Sequence, residues 1–293
     1  MTYKILVIGN NKGGIGKTFI SKSIAEYAAI IQRKKVLLID LDPQTNLSRR
    51  YLDMEILDDG SNDYSPPLHP DYIEDASQKD DDDDWNGYSD AADIWLKGFA
   101  IPYPTRYENL EIIPSHAHKL QNIELVKKQD VHEEVVRWLR KFLLLDEIKN
   151  SYELIIIDTR PSKGPLVQAA LQASTHLLIP SEMEAPSVEG LHGMLSVRTM
   201  TNLHRSKRDQ LKLVGILPNK FKAGVRIHDE FLNILQKDQQ IGSSVLPVLI
   251  NDWVGYKESM LFMADSIFEK PASDKHRKQL ESVGEVILQR MDN

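Results

Sequence analysis

The sequence predicts an α/β fold, a mainly parallel twisted sheet with helices on both faces. Apolar runs of strand length alternate along the chain with stretches of helical periodicity, the rhythm of repeated strand–helix crossovers. Runs such as Leu154-Ile155-Ile156-Ile157 are continuously apolar, which suits strands buried on both faces. Two runs end on an aspartate and a third enters a glycine-rich loop, so polar groups collect where open α/β sheets bind ligands.

Taken in order, Tyr3–Ile8 is expected as the first strand, followed by a helix from Lys17 to about Gln32. That helix carries Ile20, Ile24, Ala28 and Ile31 on one face at spacings of three and four. Val36–Ile39 reads as the second strand, ending at Asp40, and Leu110–Ile113 as another, closed by Pro114. Val131 to about Leu145 is helical, with Val131, Val135, Leu139 and Phe142 in register. Leu154–Ile157 is the most apolar strand, and His176–Ile179, Leu213–Leu217 and Val245–Ile250 are further strand candidates. Helices are expected near 164–173, 187–205, 226–238 and 275–290. The stretch from about Asp53 to Tyr107 breaks the rhythm, with Pro66-Pro67 and the acidic run Asp80–Asp84. Like charges in a row repel and resist burial, so residues 1–293 are expected to form one domain interrupted at about 53–107 by a flexible acidic insertion. Within it, Asp90–Lys97 is a short helix candidate.

The 293 residues contain no cysteine, which excludes disulfides, thiolate zinc sites and cysteine-ligated iron–sulfur clusters. No run approaches the roughly 20 apolar residues that span a bilayer. A strand pattern begins within three residues of the N-terminus, so no signal peptide is expected and the cytoplasm is the simplest compartment. The net charge of −7 conceals an asymmetry: residues 53–93 hold fifteen acidic side chains against one basic, leaving 35 Lys and Arg against 28 Asp and Glu elsewhere. A mildly basic body can still meet an anionic partner such as nucleic acid.

Between the first strand and first helix lies Lys12-Gly13-Gly14-Ile15-Gly16-Lys17-Thr18. Glycines let the backbone turn its N–H groups toward a phosphate, and the helix N-terminus adds partial positive charge. In this context the loop is a phosphate cradle, in which Gly13, Gly14, Ile15 and Gly16 supply backbone. Lys17 would reach the β/γ-phosphates and the Thr18 hydroxyl would ligate Mg²⁺. The usual opening glycine is replaced by Asn11, and a second lysine, Lys12, follows.

With that loop, the sequence resembles the deviant Walker-type P-loop NTPases of the ParA/MinD superfamily, whose loop reads Lys-Gly-Gly-x-Gly-Lys-Thr. The resemblance covers residues 1–52 and 108–293. It implies an ATPase using ATP and Mg²⁺, and a homodimer with nucleotide sandwiched between subunits. Lys12 would reach in trans to the partner's phosphates, like an arginine finger. Asp40-Leu41-Asp42-Pro43-Gln44 resembles the family's Asp-x-Asp-Pro-Gln segment, more typical of ParA than of MinD. By that resemblance Asp42 would orient or activate the attacking water and Asp40 would help hold the magnesium shell. Leu154–Asp158 fits a Walker B strand that delivers Asp158 beside the metal. The family's Asp-x-Pro-Pro is here Asp158-Thr159-Arg160-Pro161, which puts a cation in place of one proline. Gly215-Ile216-Leu217-Pro218-Asn219 resembles the strand whose asparagine reads adenine; an amide can both donate to and accept from that base.

The resemblance implies DNA segregation: an ATP-closed dimer that binds DNA without sequence preference, near the nucleoid, stimulated by a ParB-like centromere-binding partner. Such binding needs basic groups aimed at phosphates. Candidates are Arg198, Lys222 and Arg226, with Arg205, Lys207, Arg208 and Lys220 and with Lys275, Arg277 and Lys278 near the last helix. The alternative is a MinD-like or other positioning ATPase acting on a membrane or another non-DNA cargo. The terminal segment has Leu280, Val283, Val286, Ile287 and Met291 but also Glu281, Glu285 and Asp292, the pattern of a docking helix. Stable membrane association is therefore not expected.

Overall fold

The computed structural model describes residues 3–58, 60, 63–72, 85–126, 129–203 and 205–293, with backbone alone at 129–132 and 185–189. Strands β1 (Lys4–Ile8) and β2 (Val36–Asp40) precede a small antiparallel pair, β3 (Glu55–Ile56) and β4 (Tyr64–Ser65). The strands β5 (Tyr103–Pro104), β6 (Leu110–Ile113), β7 (Leu154–Asp158), β8 (His176–Ser181) and β9 (Lys212–Pro218) follow. Among the described residues, seven strands make one sheet in the order β5-β6-β2-β7-β1-β8-β9, parallel throughout except where β5 runs antiparallel to β6.

Side chains alternate across each strand, so the continuously apolar runs serve two cores at once. Ile5, Val7, Leu37, Ile39, Ile155 and Ile157 join one buried cluster; Leu6, Ile8, Val36, Leu38, Leu154 and Ile156 join the other. The helices are α1 (Lys17–Glu26), α2 (Ser48–Tyr51), α3 (Asp93–Leu96), α4 (Ala117–Glu124), α5 (Gln129–Leu143), α6 (Asp146–Ser151), α7 (Pro165–Ala173), α8 (Ala185–Leu203), α9 (Arg226–Lys237), α10 (Val254–Glu258) and α11 (Lys275–Asp292). Residues of α5, α7 and α8 pack into the first cluster, and residues of α1 and α11 into the second.

Three expectations change. The first helix stops at Glu26 and continues as a π-helical turn over Tyr27–Ile31. Val245–Ile250 is not a strand of the sheet. It follows β9 through an isolated bridge at Val245, with Leu246 N–H donating to Ile216 (2.8 Å) and Ile250 N–H to Pro218 (2.9 Å). Pro247 lies between these two donors without an N–H of its own, so a regular ladder cannot form. The stretch 53–107 is also more packed than its charge suggests. Ala91, Ala92, Ile94, Ala100 and Tyr103 are buried, and β5 extends the main sheet. Buried Asp90 lies 2.5 Å from Lys119 Nζ, and buried Asp93 lies 3.0 Å from Lys97 Nζ. The acidic run Asp80–Asp84 lies outside the described residues.

Among the described residues no helix is long and apolar enough to cross a membrane. The last helix, α11, instead buries Leu280, Val283, Ile287 and Met291 against the domain. A methyl group at Gly284 would fall 2.3 Å from the buried Tyr27 ring, so Gly284→Ala tests that docking. Alanine favours an isolated helix by about 1 kcal/mol, yet overpacking here is expected to lower stability by about 1–3 kcal/mol in a denaturant melt. Unchanged or increased stability would show that α11 is not held tightly against the π-helical turn that follows α1.

Candidate functional site

The strands β1, β2, β7, β8 and β9 deliver the candidate residues to the same edge of the sheet. Gly16 starts α1 in the left-handed region at φ 84, and a Cβ there would sit 2.6 Å from Asn219 Nδ2. Only glycine therefore fits between the loop and the tip of β9. Asn219 donates to the Ile15 carbonyl at 2.6 Å, and Asn10 donates to the Pro180 carbonyl at 2.8 Å while accepting from Lys12 N–H at 2.9 Å. The loop is thus braced from β8 and β9. Asn10 is not identified from sequence, since an asparagine ahead of a glycine-rich turn carries no special signal.

Lys17 is buried, with Nζ 3.3 Å from the Lys12 carbonyl. Burial pushes its ammonium below the ordinary lysine range, opposed by the charges of Asp158 and Asp42. Asp158 is fully buried and accepts from the Ser21 hydroxyl at 2.9 Å and from Thr18. Burial raises its carboxyl to about 6 despite those hydrogen bonds, with Asp42 raising it further and Lys17 opposing. Its Oδ2 is buried without a hydrogen-bond partner. Such an atom beside a threonine hydroxyl fits an outer-sphere contact to a hydrated Mg²⁺. Among the described residues no group of three or more His, Cys, Asp and Glu could hold a metal alone. That donor set suits Mg²⁺, which takes much of its coordination from waters and substrate phosphates.

Asp40 pairs in register with Asp158 across β2 and β7. Its Oδ2 accepts from the Ser48 hydroxyl (2.6 Å) and N–H (2.9 Å), and its Oδ1 from Asp42 N–H (3.1 Å). Burial, then the charge of Asp158, pushes this carboxyl up to about 8, with Ser48 opposing. Both oxygens are turned toward the loop that follows β2. Ser48 accepts from Ser115 N–H at 2.8 Å, and the Ser115 hydroxyl donates to the Asp42 carbonyl at 2.8 Å. Asp42 accepts from Gln44 N–H at 3.0 Å. Ser21, Ser48 and Ser115 all escape a reading of the sequence, where lone serines say little.

Lys12 meets Glu182 at 3.1 Å and is bonded to Glu184, so both lysines of the loop are held in place. The basic candidates divide. Arg226 opens α9 and is 91% exposed, paired along its helix with Glu230 at 2.6 Å. Lys222 is exposed, 3.6 Å from Asp252. Arg198 is turned inward, its Nε donating to the Leu211 carbonyl at 2.9 Å, and burial lowers its guanidinium. Arg205 donates to the carbonyls of Ser174, Asp209, Leu171 and Gln172. These two arginines staple α8 and the turn after it to their neighbours, contrary to the exposed, phosphate-facing role expected of them. The helix expected over 187–205 takes in both arginines without showing that α8 ends at Leu203 or which carbonyls lie opposite.

A family model described as an AAA domain matches residues 3–213. The sporulation initiation inhibitor protein Soj of Bacillus subtilis is 30% identical over 230 residues, 78% of each chain. Among solved structures, a plasmid partition protein from Borrelia burgdorferi aligns with a TM-score of 0.65 at 20% identity, over 99% of this chain and 100% of that one. The ATP complex of a McdA variant from Cyanothece aligns with a TM-score of 0.70 at 18% identity, over 99% of this chain and 97% of that one.

The carboxylates make stability depend on pH. Asp40 has a folded pKa of about 8 against 3.8 when free, so folding takes up a proton between those values. Its contribution is fully present below about pH 4 and is lost as the pH rises through 8. Without Mg²⁺ or nucleotide, moving from pH 8 to pH 6 is expected to raise unfolding free energy by on the order of 2 kcal/mol through Asp40. Asp40→Asn should flatten that slope, measured by denaturant melts at both pH values; an unchanged slope would place the proton elsewhere.

Proposed function

Because the chain belongs to the ParA/MinD superfamily, on its ParA-like side, we propose that it is a positioning ATPase that binds Mg·ATP at the loop 12–18 and hydrolyses it within a pair of subunits. The observation that carries this reading is the convergence of buried Lys17, Thr18 and the orphaned Oδ2 of Asp158 on one sheet edge. Backbone N–H groups of Gly13 to Thr18, with the start of α1, would cradle the phosphates. Lys17, already partly stripped of water, pairs with phosphate oxygens at less desolvation cost than an exposed lysine. Mg²⁺ would neutralise developing charge on the phosphates, held by the Thr18 hydroxyl and, through water, by Asp158.

Asp42 lies two residues beyond Asp40, in the loop that follows β2, and is the group we assign to orienting the attacking water. Asp40 then acts as its positioning residue, since its carboxylate fixes Asp42 N–H and Ser48 together. Asn219 would read adenine, and its amide nitrogen holds the loop through the Ile15 carbonyl. Lys12 supplies the second subunit's share of the grip on phosphate. Hydrolysis that needs a second subunit is a means of timing release.

For cargo, DNA bound without sequence preference fits best, through Arg226 and Lys222 with exposed Lys207 and Arg208. A ParB-like partner would stimulate turnover.

Lys17→Ala is expected to abolish nucleotide binding. Lys12→Ala should retain binding yet lose ATP-dependent dimers by light scattering; persistent dimers would remove the trans role. Asp42→Ala should bind ATP and accumulate dimers, with turnover reduced roughly 100-fold or more. Arg226→Glu should weaken DNA binding in the ATP state, with a shallower salt dependence in a fluorescence anisotropy series. DNA affinity indifferent to ATP, to salt and to Arg226 would instead favour a non-DNA cargo.

A further inference from the structure

At the end of β8, Glu182 joins two lysines. Its Oε2 lies 3.1 Å from Lys12 Nζ, and its Oε1 lies 2.8 Å from Lys220 Nζ. Lys220 also donates to the Gly14 carbonyl, inside the phosphate loop. Its backbone is left-handed, at φ 50, immediately after Asn219. A lysine seldom takes that conformation without some local compensation, and here it brings the ammonium over the loop. The Glu182 side chain is 17% exposed, so the bridge is more sheltered than an ordinary surface pair.

Three ammonium groups, those of Lys12, Lys17 and Lys220, therefore touch the backbone or rim of the same short loop. Like charges at such spacing repel; Glu182 offsets two of them with one oxygen each, and Glu184 adds a second carboxylate on Lys12 alone. Burial opposes ionisation of Glu182, yet hydrogen bonding led by Lys220 leaves its carboxyl below the usual range. A carboxylate gripped in this way presents to the lysines the same oxygen chemistry as a phosphate. It also sets a negative charge against any incoming polyphosphate.

We propose that Glu182 is an intramolecular competitor of phosphate for Lys12 and Lys220, and that Lys220 is a third cation of the nucleotide site. Transfer of the two lysines from Glu182 to phosphate oxygens sets the ATP concentration at which two subunits close. This assignment rests on the Mg·ATP reading, and it moves Lys220 from the DNA-facing set to the phosphate loop.

Glu182→Gln keeps the shape and removes the charge. Titrated into the purified full chain with Mg²⁺, ATP is expected to bind this variant about three- to tenfold more tightly than wild type, with AMP unchanged. The midpoint of ATP-dependent dimer formation should fall in parallel. In a Lys220→Ala background the gain from Glu182→Gln should shrink by half or more, the coupling expected of partners in one network. Should Glu182→Gln fold poorly by circular dichroism, Lys220→Ala alone decides: it should weaken ATP at least about threefold and leave AMP unchanged. Wild-type ATP affinity in either folded variant, beside a wild type that binds Mg·ATP, would overturn the competitor and leave the ATPase reading intact. A wild type that fails to bind Mg·ATP would remove the ATPase reading itself.

Discussion

Charge brought together where water is scarce is the constraint to which the rest of the site answers. Asp40, Asp158 and Lys17 are all buried at the ends of neighbouring strands, and each alone would be expensive to ionise there. The structure meets part of that cost with hydroxyls and backbone donors, while Asp40, pushed up to about 8, keeps its proton near neutral pH. Thr18 and Ser21 serve Asp158, Ser48 and Asp42 N–H serve Asp40, and the charges of Asp158 and Asp42 support that of Lys17. What remains unpaired among these three side chains, Asp158 Oδ2, is the atom that would be left for an outer-sphere contact to a hydrated cation.

The parallel sheet makes this concentration possible. Parallel strands place their C-terminal ends on one edge, and the register of β2 with β7 sets Asp40 opposite Asp158. Two apolar cores fix the strands so firmly that the polar loops can be held by a few hydrogen bonds. The flanks of the acidic stretch take part in this scaffold, since β5 extends the sheet and Asp90 and Asp93 are paired beneath its surface.

The parts of the site written in consecutive residues were legible in the sequence. The loop from Lys12 to Thr18, the pair Asp40 and Asp42, and Asp158 at the end of an apolar run each carry their context with them. Residues that act by contact across the fold were not. Ser48 and Ser115 meet only because β2 and β6 are neighbours, and Glu182 meets Lys220 because β8 lies beside β9. The same gap explains the errors. Apolar content at Val245–Ile250 suggested a strand, while Pro247 decided otherwise; charge at Arg198 and Arg205 suggested a surface, while facing carbonyls drew both inward.

The central claim is that main-chain amides, Lys17 and a metal held through Thr18 and Asp158 bind a triphosphate together. Isothermal titration of the purified chain with ATP, in matched buffers with and without Mg²⁺, tests it most directly. One ATP per chain, bound much more tightly with Mg²⁺ than without, is the expected result. Heat that is absent, or affinity indifferent to Mg²⁺, would contradict it.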